Sequence, residues 1–171
     1  GYKYCQLGEG NCFLRLPPGS DLRPVYTGWF SEFGELSRKP RQGEVVYGGG
    51  AARFAGATYD PTAHYRAEAV FAFHEARLLT PTRLREINQR QVSLLRDAIE
   101  ALDLDPHVAR VESIPDERRG GFLAVRAPRA AAIVRALRSR GVWTDSRGDV
   151  LRMGPAPYLR DEQLRDGVEA L

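Results

Sequence analysis

The stretch GVWTDSRGDVLRMGP, residues 141–155, decides the fold that we expect for the second half of the chain. Its two flanks, VWTD (142–145) and DVLRMGP (149–155), read as short strands, and the SRG between them is typical of a hairpin turn. The residues just before it, PRAAAIVRALRSRG (128–141), have a helical pattern that ends at Gly141. A glycine in that place predicts the C-terminal cap of a helix.

Further elements are predicted on both sides of this helix and hairpin. HVARVES (107–113) and GFLAVRA (121–127) alternate between apolar and polar residues, as strands do. RDEQLRDGVEAL (160–171) begins a last helix. The order strand, strand, helix, hairpin, helix predicts a small α+β unit over residues 103–171, in which helices cover an antiparallel sheet.

Two helices are predicted in the middle of the chain, over residues 61–102. Asp60 and Pro61 signal the start of the first, because Asp caps helix N-termini and Pro fits the first helical position. Thr80 and Pro81 repeat that signal for the second. The apolar residues of the second helix fall on one stripe, as in helices that pack against a core; they are Leu84, Ile87, Leu94, Leu95, Ala98 and Leu102.

The first part of the chain, residues 1–60, has few regular patterns. NCFLRLP (11–17) predicts a short strand after a glycine-rich turn. Residues 17–60 are irregular and punctuated by Gly and Pro. Segments of this length without clear elements are usually functional or contact a partner.

The composition excludes several classes of protein. Of the 171 residues, 43% are hydrophobic and 27% are charged, which suits a packed globular core. The net charge is only +3 and acidic residues are interleaved with basic ones, so we expect no nucleic-acid partner. No apolar run approaches the ~20 residues that a membrane helix needs, so no membrane partner is expected.

Cysteine and histidine are sparse. Cys5 and Cys12 have no secretory context or regular cysteine framework around them, and we expect them to be reduced in a cytoplasmic protein. The histidines His64, His74 and His107 are scattered, and no spacing resembles a zinc site. We therefore expect no metal site.

The lysines are the most informative charged residues. Among the 25 basic residues only Lys3 and Lys39 are lysines, and a lysine can lose its proton and attack a carbonyl group, whereas an arginine cannot. Lys3 stands between Tyr2 and Tyr4, ahead of the glycine-rich turn. A lysine in this place is either an ordinary solvated side chain or an amine with a chemical role.

Three elements in register resemble one known family. GYKY (1–4) with its glycine-containing turn, GWF (28–30) and GVWTDSRGDVLRMGPAPYL (141–159) are similar to elements that kynureninases carry in the same order. Those family elements read SYKYLN…G, GWFGHE and a late D-x-R…R-x-x-P-x-P-L-Y. Kynureninases are class V aminotransferase-type enzymes that use pyridoxal phosphate and have an α/β fold, fold type I.

The resemblance implies a domain organisation. In the family the cofactor lysine lies about the middle of the polypeptide, so the chain is expected to be the C-terminal part of a longer enzyme. Residues 1–60 would be the end of the large cofactor-binding domain and a dimer-contact segment. Residues 61–102 would be helices that link the domains, and residues 103–171 the small C-terminal α+β domain. The family's homodimer is expected as well.

The resemblance also implies a reaction and its residues. The activity would be hydrolytic C–C bond cleavage of kynurenine or a related amino acid. Lys3 would bind the pyridoxal phosphate and then move the substrate α-proton, and Tyr2 would bind the phosphate and support that transfer. Trp29 and Thr58 would contact the phosphate, Thr58 from across the dimer interface. Arg152 would bind the substrate α-carboxylate, because its fork meets two oxygens at once.

Each of these side chains also has an ordinary interpretation. Tyr2 fits a half-buried strand, Trp29 a core or an interface, Thr58 a plain turn, and Arg152 one of many solvated arginines.

Two departures from the family put the substrate in question. Ser31-Glu32-Phe33 replaces the family sequence with its ring-contacting histidine, so Glu32 would contact the substrate instead, and GATYDP (56–61) replaces an SNPP-like stretch. An epimerase or another lyase of the same superfamily fits as well. A desulfurase would need a cysteine in a late loop, which this chain lacks. The isolated chain alone would be a non-catalytic small-domain or dimerisation lobe.

Overall fold

The computed structural model describes residues 1, 3, 5–39 and 41–171. The chain divides into two compact units, Gly1–Arg77 and Leu78–Leu171. The two helices predicted over residues 61–102 are both present, the first in the first unit and the second in the second unit. None of the helices in these described ranges combines the length and the apolar character of a membrane span.

The first unit is irregular over most of its length. Its described residues form two 3-10 helices, Trp29–Glu35 and Gly50–Phe54, and one α-helix, α1, Thr62–Ala76. The strand predicted over residues 11–17 is wrong, and the Phe13 side chain is 85% exposed. A strand needs partners for its backbone hydrogen bonds, and the described part of this unit contains no other strand to supply them.

Helix α1 starts one residue later than predicted, at Thr62 instead of Pro61. The Asp60 carboxylate accepts hydrogen bonds from Thr62 Oγ1 (2.6 Å) and from the Thr62 backbone N–H (2.9 Å). These two bonds stabilise the ionised carboxylate and lower the pKa of Asp60. The helix therefore begins at Thr62, with Pro61 as the residue before it.

A close backbone approach organises the middle of the first unit. The Phe30 N–H donates to the Gly56 carbonyl (2.9 Å), and the Gly48 N–H donates to the Ser31 carbonyl (2.6 Å). Ser31 is 1% exposed, and its Oγ donates to the Gly28 carbonyl (2.7 Å). A Cβ on Gly28 would lie 2.4 Å from the backbone C and O atoms of Gly56, so there is no room for a side chain.

The second unit is built on a four-stranded sheet in which all neighbouring strands are antiparallel. Its strands are β1 (Arg110–Val111), β2 (Leu123–Arg126), β3 (Asp145–Arg147) and β4 (Val150–Met153), in the spatial order β1-β2-β4-β3. The sheet and its hairpin confirm the predicted antiparallel architecture.

Three helices complete this unit: α2 (Pro81–Glu100), α3 (Ala130–Ser139) and α4 (Asp161–Glu169). The Thr80 hydroxyl accepts a hydrogen bond from the Arg83 N–H (3.1 Å), which confirms the predicted cap of α2. Gly141 follows α3 with φ +81, a conformation that favours glycine and that the helix end requires. Helix α2 packs against α4, β1 and β2, and α3 packs against β3 and β4.

The predicted stripe of α2 is correct in part. The buried face of this helix carries Gln91, Val92, Leu95 and Ile99. Leu95 belongs to the predicted stripe, whereas Leu102 lies beyond the end of the helix and is 40% exposed. The core behind this face is apolar, and its fully or almost fully buried members include Val92, Leu123, Val125, Leu137, Leu151 and Val168.

The hairpin turn lies further along the chain than predicted. The register of β3 and β4 leaves Gly148 and Asp149 as a two-residue turn, in place of the predicted turn at residues 146–148. Gly148 has φ +56, and glycine adopts this conformation at no steric cost. The corrected turn places Asp145 directly opposite Arg152.

Substitution of Gly28 with Ala is expected to lower the free energy of unfolding by about 1–3 kcal/mol. The new Cβ meets the Gly56 backbone, which cannot rotate aside as a flexible side chain does. Gly34→Ala is the matched control, because a Cβ at Gly34 has no heavy atom within 4 Å among its described neighbours. Urea denaturation measures both variants, and equal stabilities would contradict the close approach.

Candidate functional site

The structure distributes the predicted site residues over both units. Lys3, Trp29, Glu32 and Thr58 belong to the first unit, whereas Arg152 belongs to the second. Tyr2 lies outside the described residues.

Lys3 lies in a turn near the start of the described chain, and its side chain is exposed. The Gly1 carbonyl accepts a hydrogen bond from the Leu7 N–H (3.4 Å), and Leu7 is 4% exposed. Asn11 Nδ2 donates to the Ala63 carbonyl (3.0 Å), which attaches this segment to the start of α1. The turn therefore presents a primary amine at the surface of the first unit.

Trp29 and Thr58 lie on two segments that the structure brings together. The hydrogen bond between the Phe30 N–H and the Gly56 carbonyl joins the 3-10 helix of Trp29 to the loop that carries Thr58. The Trp29 ring packs at 4.4 Å from the Phe30 ring and 5.2 Å from the Phe33 ring, and half of its surface stays exposed. Thr58 is exposed as well. An indole N–H and a hydroxyl are thus available in neighbouring segments.

Glu32 lies in the first turn of the same 3-10 helix and is half-buried, next to the buried Ser31. Glu32 follows Trp29 by three residues, which is one turn of this helix.

An open cleft of about 580 Å³, which the sequence did not indicate, lies where the glycine-rich turn meets the start of α1. Its lining includes Cys12, Asp60, His64 and Arg66, and Tyr59 packs against His64 with ring centroids 5.4 Å apart. The Asp60 carboxylate is already engaged by Thr62 as described above. Asp60 follows Thr58 by two residues in the chain, and the glycine-rich turn that lines the cleft follows Lys3.

Arg152 is held on the exposed face of the sheet by two contacts. Its Nε donates to Asp145 Oδ1 (2.6 Å), and its Nη2 donates to Asp145 Oδ2. Its guanidinium carbon lies 5.3 Å from the centre of the Phe122 ring. The hydrogen bonds to Asp145 raise the pKa of Arg152 above its ordinary value, so the guanidinium is fully charged.

The loop after β4 is attached to the core by one buried amide. Gln91 is 1% exposed, and its Nε2 donates to the Ala156 carbonyl (3.0 Å) and to the Leu159 carbonyl (3.1 Å). Both carbonyls belong to GPAPYL (154–159), the stretch that follows Arg152. The buried amide therefore fixes the chain direction just beyond the guanidinium.

No role was predicted for Asp145, although it lies in the D-x-R element quoted above, and Phe122 was not singled out from the sequence. The signal for Asp145 is its register: a two-residue turn at Gly148 and Asp149 pairs residues symmetrically about itself and puts Asp145 opposite Arg152. The ring contact of Phe122 has no comparable local signal, because Phe122 precedes a different strand.

The first unit carries the kinds of side chain that a phosphorylated aldehyde such as pyridoxal phosphate would require. Lys3 has an amine that can react with an aldehyde, Trp29 has an N–H that only donates, and Thr58 has a hydroxyl. All three residues are exposed. In the described part of the chain, no group of three or more His, Cys, Asp or Glu side chains is arranged to hold a metal ion.

Comparison with solved structures shows the fold. The chain is similar to the cystine C-S lyase C-DES in complex with its reaction product cysteine persulfide (18% identity, TM-score 0.64), covering 85% of this chain and 37% of that one. It is also similar to a NifS-like protein (17% identity, TM-score 0.53), with 73% and 36% of the two chains covered. An adenosylmethionine-8-amino-7-oxononanoate aminotransferase from Methanocaldococcus jannaschii matches at 16% identity and TM-score 0.52, with 68% and 28% covered.

The chain therefore spans between 28% and 37% of the length of these three structures. A search of curated proteins finds no match.

The family is shown by a match to a family model. The model described as the kynureninase C-terminal domain matches residues 84–171, which include α2 except for its first three residues, the whole sheet, α3 and α4. The fold of the neighbours is fold type I of the pyridoxal-phosphate enzymes, and the chain corresponds to its C-terminal part. The chain thus belongs to the kynureninase family of class V pyridoxal-phosphate enzymes, as the part that holds the C-terminal domain.

Proposed function

We propose that this chain is the C-terminal part of a pyridoxal-phosphate enzyme that hydrolyses a C–C bond in kynurenine or a related amino acid. The observation that carries the proposal is Arg152, an oriented guanidinium within the region that matches the kynureninase C-terminal domain. An amino-acid substrate carries an α-carboxylate, and an arginine fork binds both oxygens of such a group.

Lys3 is proposed to hold the cofactor and to move protons. The Lys3 amine would hold the cofactor through its aldehyde, and the same Nζ would accept the substrate α-proton. Pyridoxal phosphate, when bound, supplies an electron sink for the carbanion that proton removal leaves. Trp29 and Thr58 are proposed to donate hydrogen bonds to the phosphate. Tyr2 is proposed to bind the same phosphate and to support the proton transfer.

The substrate need not be kynurenine itself. The half-buried Glu32 stands where the family has a ring-contacting histidine, and a carboxylate in a substrate pocket disfavours a negatively charged or purely apolar ring. A related amino acid with a different β-substituent fits as well as kynurenine, and another lyase or an epimerase of the same superfamily is the second candidate.

We also propose that the enzyme works as a homodimer in the cytoplasm. Large apolar side chains of the first unit are exposed, among them Phe13 (85%), Val25 (89%) and Tyr26 (93%). Apolar area of this kind is stabilised when a partner covers it, and a second copy of the chain is the partner that we propose. Cys5 and Cys12 are free thiols, which suits a reducing compartment.

Lys3→Ala in the complete enzyme should abolish covalent retention of the cofactor after borohydride reduction, because no amine remains at that position. Peptide mapping of the reduced wild-type enzyme should find the label on Lys3, and Lys39→Ala is the matched control that should retain it. Label on Lys39 in the wild-type enzyme would show that the assignment of Lys3 is wrong.

Arg152→Ala should lower kcat/KM for L-kynurenine or the preferred substrate by about 30-fold to several thousand-fold, which corresponds to about 2–5 kcal/mol for an unpaired carboxylate. Arg152→Lys should recover only part of this loss, because a point charge cannot replace the fork. Arg135→Ala, on the exposed face of α3, is the control. Equal effects of the two Ala variants would contradict the carboxylate role.

Sedimentation should show the complete enzyme as a homodimer. Tyr26→Asp should shift it toward monomer, because a carboxylate on a covered apolar surface costs free energy. Tyr158→Asp is the control, since Tyr158 is 75% exposed in the second unit. A fully active wild-type monomer would contradict the proposed dimer.

A further inference from the structure

Asp145 occupies one edge of the Arg152 guanidinium. Asp145 and Arg152 are direct cross-strand partners, and both Asp145 oxygens accept hydrogen bonds, from Nε and from Nη2. The guanidinium carbon also lies over the Phe122 ring, 5.3 Å from its centre. The pair is partly solvated, with the side chains of Arg152 and Asp145 27% and 56% exposed.

The donors that remain on Arg152 match a second carboxylate. A guanidinium carries five N–H donors in a planar fork. Nε and one hydrogen of Nη2 bind Asp145, so the terminal edge, formed by Nη1 and the other hydrogen of Nη2, is left with parallel N–H groups. Within the described residues, the contacts found for Arg152 are those with Asp145 and Phe122. This edge has the spacing for bidentate binding.

Arg126, on the neighbouring strand, shows the contrasting arrangement. Its Nε donates to Glu112 and its Nη1 donates to Asp149 Oδ2 (2.7 Å), so each end of the guanidinium binds a different carboxylate. These pairs are held within the sheet and its turn. Both ends of the Arg126 guanidinium therefore bind carboxylates of the sheet and its turn. The Arg152 guanidinium binds a carboxylate at one edge, and its terminal edge remains available.

We propose that Asp145 is a positioning residue. By binding the Nε and Nη2 edge of Arg152, it directs the terminal edge of the guanidinium towards the α-carboxylate of the substrate. The Phe122 ring, over which the guanidinium carbon lies, limits the movement of the same group. The inference rests on the proposed function, since it takes the ligand of Arg152 to be an amino-acid carboxylate. If Asp145 instead competed with the substrate for Arg152, removal of the Asp145 charge would lower KM, whereas loss of positioning would raise it.

The test uses the complete holoenzyme with Asp145→Asn, which keeps the shape of the side chain and removes its charge. KM for the substrate should rise by about tenfold, the size of ~1.4 kcal/mol, while kcat changes by less than about threefold. Asp145→Glu should recover part of the rise, because it restores a carboxylate. Asp149→Asn is the matched control: Asp149 lies in the same hairpin, is 52% exposed, and pairs with Arg126.

A second readout reports the carboxylate directly. L-alanine and L-alaninamide are compared as competitive inhibitors, and the preference for the carboxylate should fall by about tenfold in Asp145→Asn and stay unchanged in Asp149→Asn. Phe122→Leu gives an independent arm and should reduce the preference as well. A merely structural role of Asp145 would lower the melting temperature without changing this preference.

The outcomes separate the two proposals. If Arg152→Ala leaves the preference for the carboxylate intact, the proposed carboxylate role of Arg152 fails. If Arg152→Ala removes the preference and Asp145→Asn does not change it, only the positioning role of Asp145 fails. A lower KM in Asp145→Asn would show that Asp145 competes with the substrate, and would overturn the positioning role.

Discussion

The antiparallel pairing of β4 with β2 on one side and β3 on the other is the constraint on which the second unit depends. Leu151 and Met153 of β4 point into the core, at 0% and 5% exposed, so Arg152 between them points to the opposite face. A register shift of one residue would bury that charge and expose both apolar side chains. Each such side chain contributes about 1.5–3 kcal/mol by burial, so the register is strongly specified.

The polar face of the sheet follows from the same register. Exposed ion pairs contribute little stability, typically about 0–1 kcal/mol each. The pairs of Arg126 and Arg152 are partly or mostly exposed, so orientation of the guanidinium groups is their more important effect. Two arginines on one face thus differ in what they can bind, because Arg126 is paired at both ends and Arg152 at one edge.

The first unit is held together by different means. Its described residues contain little buried apolar surface, with Leu7, Val46 and Ala67 as its buried hydrophobic residues. Backbone contacts at Gly28 and Gly56 replace side-chain packing in the middle of the unit. Loops of this kind, held by short contacts and rich in exposed aromatic residues, are where proteins place binding groups. The exposed Trp29 and Thr58 lie on either side of such a contact.

Helices α2 and α3, the caps at Thr80 and Gly141, and the antiparallel hairpin could all be predicted from the residues, because periodicity and cap chemistry act over neighbouring residues. Resemblance of short motifs indicated the family and pointed to Arg152. The turn at Gly148, the pairing of Asp145 with Arg152, and the absence of the strand predicted over residues 11–17 could be seen only in the folded chain. The physical reason is that strand register and strand formation depend on a partner strand, and the chain alone does not say which partner is within reach.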